Sequence, residues 1–203
     1  MKASPTTAHE TYPDTHHDAY SKTIFGFWIY LMGDLIFFGA LFATYTVLNE
    51  STFGGPTARE LFNLPYTLIQ SLVLLFASFM AGLGGTAAHR KEKGRTLLFF
   101  SSTFVLGSLF LGMEINEFAR LIAAGNRWDQ SAFLSSYFTV VATLGVHVIF
   151  GLLWVPILLI PVLLEKSLSH VSIRRLTCLK MFWQFVNIIW IFIFSLVYLL
   201  GVG

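Results

Sequence analysis

The chain has 203 residues, 55% hydrophobic and 12% charged, with 21 Phe, a formal net charge of +2 and one cysteine, Cys178. Soluble domains carry roughly 25% charged residues, so this composition excludes an ordinary water-soluble globule. The small net charge is no nucleic-acid signal, and a single thiol excludes an intrachain disulfide.

The first 23 residues are polar and hold Lys2, Lys22, Glu10, Asp14 and Asp18 together with His9, His16 and His17. No apolar h-region is present, so no cleavable signal peptide is expected, and the acids argue against an organellar transit peptide. The three histidines read as part of a solvated tail rather than a divalent-ion site.

Ile24 to Leu48 is a run of 25 residues with one charge, Asp34. As a helix it is roughly 37 Å long, enough to cross a hydrocarbon layer of about 30 Å. Asp34 then sits near mid-depth, where an acid costs about 2.5–3.5 kcal/mol and needs a partner.

Four further runs can span. Leu64 to Ala88 carries no charge, and Thr96 to Ala119 carries only Glu114 and Glu117. Ser131 to Leu164 is uncharged apart from the titratable His147, and Met181 to Gly203 is uncharged. The fourth run is too short for two spans and a turn, so Pro156 and Pro161 predict one kinked helix reaching beyond the bilayer. The expected fold is an all-α integral membrane bundle of five helices over residues 24–203, behind the polar tail of residues 1–23.

Ten basic residues fall on one side: Lys2 and Lys22 in the tail, Arg90, Lys91, Lys93 and Arg95 after the second span, and Lys166, Arg174, Arg175 and Lys180 after the fourth. Only Arg59, Arg120 and Arg127 fall on the other. The positive-inside rule predicts a cytoplasmic amino terminus and a periplasmic carboxyl terminus in a bacterial inner membrane.

Depth along the helices orders the polar groups. Asp34 and His147 both lie near the bilayer centre, which leaves two readings open: an acid–imidazole pair between helices, or a protonated Asp34 bonded to a carbonyl or water. Glu114, Glu117 and Arg120 share one helix face. Glu117–Arg120 reads as a helix-end ion pair, and Gln70 lies at the right depth to donate to Glu114. Structural glue is the expected role of these acids, with a proton relay as the alternative.

A bis-histidine haem or a copper centre needs more intramembrane ligands than His147, because His89 and His170 fall in turns. No haem, copper or other metal is therefore expected in this chain, and the GxxxxGK, HExxH and GxSxG patterns are missing from it. No residue is assigned a catalytic or cofactor-binding role. Cys178 reads as a packing residue, and Trp28, Trp154, Trp183 and Trp190 as interface or packing aromatics. Small-residue pairs at Gly39/Ala43, Ser78/Gly82, Ala81/Gly85 and Ser108/Gly112 predict helix contacts.

Five motifs carry a resemblance. IFGFWIYLMGDLIFFGALFATYTVL from Ile24, GGPT from Gly54, GMEINEF from Gly112, GVHV from Gly145 and FWQFVNIIW from Phe182 resemble, in that order, subunit III of cytochrome bo-type ubiquinol oxidases. Cytochrome c oxidase subunit III shares the family but typically has seven spans, so five spans behind a polar tail look like the ubiquinol branch. The resemblance implies a lipid-holding, V-shaped helical partner of a catalytic subunit I and of the other oxidase subunits. Haem and copper would then lie in subunit I, where the complex couples quinol oxidation to oxygen reduction and proton pumping. It also matches Asp34 and Glu117 to acids of the family. Four positions depart from it. Leu144 stands for the first histidine of HGLHV, Gln184 and Asn187 for the His and Asp of WHFxDxxW, and Gln70 for a frequent Glu. Each swap removes a titratable group, which counts against a proton-supply role and leaves scaffolding untouched. Two other classes stay open: the related subunit of a cytochrome c oxidase or nitric oxide reductase, and an independent carrier or channel.

Overall fold

The computed structural model describes residues 15–164 and 167–202. Lys2, His9, Glu10, Asp14, Lys166 and Gly203 lie outside the described residues. The chain forms α1 (Thr15–Leu48), a short α2 (Ala58–Leu61), α3 (Leu64–His89), α4 (Lys93–Ala123), α5 (Ala132–Leu164) and α6 (His170–Ile193). A π-helical turn (Phe194–Leu199) and α7 (Leu200–Val202) extend α6. Five of these helices are long and apolar enough to cross a membrane, in agreement with the expected five-span fold.

The helices outrun the apolar runs that predicted them. α1 begins at Thr15 rather than Ile24, α4 at Lys93 rather than Thr96, and α6 at His170 rather than Met181. Arg174, Arg175 and Lys180 consequently lie on α6 and not in a turn. The apolar run measures only what hydrocarbon must cover, whereas i→i−4 hydrogen bonding continues into the interface, where long basic side chains reach water. α5 runs through both prolines, and Lys93 Nζ donates to the Leu163 carbonyl at its end (2.9 Å).

Local sequence explains the connections. In the α3–α4 turn, Lys91 N–H bonds to Ala88 and Glu92 N–H to Ala87, closing α3 with Lys91 left-handed at φ 59°. The same pattern ends α4, where Gly125 (φ 89°) takes the left-handed position. In the GGPT loop, Gly55 N–H bonds to Thr52 C=O (2.9 Å) across Phe53 (φ 51°) and Gly54 (φ 81°). Thr57 then opens α2, with Glu60 accepting from its backbone N–H (3.4 Å). That motif is turn and cap geometry.

α6 is the centre of the bundle, against α3, α5 and α1, while α4 packs on α3 and α5. Trp183 of α6 is fully buried. Its ring occupies the space that a side chain at Gly107 of α4 would need, and the neighbouring Phe182 ring occupies that space at Gly151 of α5. Trp190, also fully buried, meets Phe110 edge-on at 4.9 Å and donates its indole N–H to Ser71 Oγ (2.9 Å). α1 packs mainly on α5 and α6 and is the least buried span. The small-residue pairs divide. Gly82 and Gly85 face Gln184 and Lys180 of α6. Gly39 and Gly112, by contrast, have nothing near them, and those two pairs face outward.

Candidate functional site: two polar clusters inside the bundle

The first cluster joins α1 to α5. Asp34 Oδ2 lies 3.7 Å from His147 Nε2, and both side chains are mostly buried. His147 Nδ1 lies 2.8 Å from the Thr143 carbonyl, one turn back on α5. A carbonyl only accepts, so Nδ1 carries a proton and Nε2 is the nitrogen presented to Asp34. The pair is therefore either carboxylate with imidazolium or carboxylic acid with neutral imidazole, one shared proton in both cases. Phe38 covers the imidazole at 5.1 Å between ring centroids, and the Tyr30 hydroxyl is turned toward Asp34. Of the two readings open for Asp34, this geometry matches the interhelical pair.

The second cluster lies nearer the bundle end that carries the 124–131 loop. Glu114 (4% exposed) and Glu117 (0%) of α4 meet Gln70 (0%) of α3. None of their side-chain oxygens or nitrogens has a hydrogen-bond partner at normal geometry. Gln70, expected beside Glu114, faces Glu117. The difference is one of helix rotation, which depth along the axis does not specify. The expected Glu117–Arg120 pair is loose at 3.9 Å, with Arg120 about half exposed. Arg120 also lies over the Tyr66 ring (5.9 Å). Both acids are buried inside the bundle.

Sequence reasoning missed the tyrosines around this cluster. The hydroxyls of Tyr137 (α5) and Tyr198 (π-helical turn) are bonded to each other at 3.0 Å, fully buried, and both rings are near Glu114 and Glu117. Tyr45 of α1 donates to the Val197 carbonyl at 3.5 Å. No spacing rule links these residues, which come from three separate segments.

The remaining candidates take plainer places. Asn187 is nearly buried and, with Ser71 and Trp190, lines a shallow apolar groove between α3 and α6. Gln184 is exposed in the next groove along, beside Ser78 and Gly82. Leu144, in the place of a family histidine, is a core residue at 1% exposure. Cys178 is buried, as a packing residue would be.

These features define a multi-pass helical membrane protein with two clusters of polar side chains buried between its own helices. Among the described residues, no three His, Cys, Asp or Glu side chains are disposed to hold a metal ion. No family model matches the chain. Curated relatives do match, along most of their length. The chain is 45% identical over 93% of its length to cytochrome bo(3) ubiquinol oxidase subunit 3 of Pseudomonas aeruginosa, covering 90% of that protein. It is 40% identical over 92% to the Pseudomonas putida subunit of the same name, covering 89% of it. Cytochrome c oxidase subunit 3 of a Bacillus species is 37% identical over 87%, with 84% of that protein covered. The chain belongs to the subunit 3 family of cytochrome bo(3)-type ubiquinol oxidases and related terminal oxidases. It is thus a multi-pass protein of the bacterial inner membrane and a member of a multi-subunit oxidase complex.

Proposed function

We propose that this chain is the non-catalytic subunit 3 of a proton-pumping ubiquinol oxidase, packed against the catalytic subunit I that houses haem and copper. The carrying observation is the 45% identity to a bo(3) subunit over nearly the whole chain. The internal economy of polar groups supports it. Asp34 and His147 tie α1 to α5, and α1 keeps a long apolar outer face, with Phe25, Ile29 and Ile36 each more than half exposed. A monomer rarely leaves such a face without a covering partner or lipid. In this proposal lipid and subunit I cover it, and the chain holds the core enzyme together during turnover. Its polar tail, residues 1–23, lies in the cytoplasm, following the charge bias of the turns.

Copurification in mild detergent from membranes carrying the tagged chain tests this. The expected result is a haem-containing complex with quinol-driven oxygen uptake. A chain recovered alone, or one that transports a solute in liposomes, would overturn it. The cytochrome c oxidase branch is the second reading, favoured by the Bacillus relative. Oxygen uptake driven by reduced cytochrome c and not by quinol would select that branch.

A further inference from the structure

We propose that Gln70, Glu114 and Glu117 form a site for one proton, carried by Glu114, with ordered water linking the three side chains. Three observations converge on it. First, six polar side-chain atoms on these residues are buried and lack partners within the chain. A buried polar atom is normally satisfied, and a polar site with several convergent groups is where ordered water is found. Gln70, fully buried on α3 and facing Glu117 on α4, is a neutral amide able to donate and accept at once.

Second, the charges do not balance if both acids are ionised. The charged and titratable side chains around the pair are Arg120 on the same helix, Tyr137 of α5, Tyr198 of the π-helical turn, and Tyr45 and Tyr66 at its edges. Arg120 is the cation among them, loose at 3.9 Å and half exposed. It can offset one carboxylate, Glu117. Glu114, deeper by one turn of α4 and facing a like charge, is the member that keeps the proton.

Third, the surroundings supply donors and a route. In the Tyr137–Tyr198 pair one hydroxyl donates to the other, so one O–H hydrogen remains for the cluster. Tyr198 lies on a π-helical turn, a local irregularity that often marks functional positions. From Glu117 the path to solvent passes Arg120 in the last turns of α4. The inference depends on the membrane fold and not on which electron donor the complex uses.

Infrared difference spectroscopy of the purified complex tests it, comparing wild type with the Glu114→Gln/Glu117→Gln double variant at neutral pH. The expected spectrum loses one protonated-carboxyl band, which shifts in D2O. The Glu114→Gln variant should also lose that band, because Glu117 ionises beside Arg120, and Glu117→Gln should keep it. Loss of two carboxyl equivalents, or of none, overturns the proposal. A band that appears or vanishes on exchanging potassium for choline overturns it in favour of a bound cation. Should the double variant fail to assemble, Gln70→Leu keeps both acids. Its band should retain intensity and move to higher frequency, and an unmoved band defeats the idea.

Discussion

Asp34 and His147 lie 3.7 Å apart on α1 and α5, and the Thr143 carbonyl holds the imidazole so that Nε2 faces the acid. Burial would penalise either group alone, and their contact offsets both. With the Tyr45 hydroxyl on the Val197 carbonyl, it is one of the polar links from the least buried span to the bundle.

Replacing His147 with Leu removes the imidazole beside Asp34 Oδ2 and leaves the Tyr30 hydroxyl as the acid's polar neighbour. We expect a loss of about 1–3 kcal/mol, the usual cost of an unsatisfied buried polar group, read as a lower denaturation midpoint of the complex. Asp34→Asn should assemble and lose about 1 kcal/mol or less, because its amide can still donate to Nε2. Equal losses in the two variants would argue against the pair.

Tyr137 and Tyr198 share one buried hydrogen bond. Either Phe substitution should cost about 1 kcal/mol or somewhat more, since it leaves the remaining hydroxyl short of a partner. The double Phe variant should cost less than the two single losses together, and a double-mutant cycle on the complex gives that coupling directly.

Trp183 leaves no room for a methyl group at Gly107, and Phe182 leaves none at Gly151. Ala at either position should destabilise by about 1–3 kcal/mol through overpacking. Gly39→Ala and Gly112→Ala, where nothing is near, should be neutral or slightly stabilising in the same melt, as helix propensity favours Ala.

Lys91 holds a left-handed conformation that glycine adopts without strain. Lys91→Gly should therefore stabilise by about 0.5–1 kcal/mol, seen as a raised melting temperature. A fall would mean that the lysine side chain makes a contact outweighing its backbone strain.

Much of this protein was legible in one dimension. The five spans follow from apolar run length, because a bilayer of given thickness demands a fixed number of residues at fixed rise. Five ordered motifs revealed the family, which the near full-length relatives show. The same fixed rise matched Asp34 to His147 by depth. Helix ends were harder, as Arg174, Arg175 and Lys180 show: backbone hydrogen bonding does not stop where hydrocarbon does.

The sequence by itself determined that helices cross a membrane, how many, and how far along its helix each polar group falls. Only the tertiary structure decided which way each helix is turned. Rotation put Gln70 beside Glu117, brought Tyr137 to Tyr198, set Trp183 against Gly107 and sent Gly39 and Gly112 outward. Depth is fixed by bonds within one helix, whereas rotation is fixed by side chains interlocking between helices far apart in the chain.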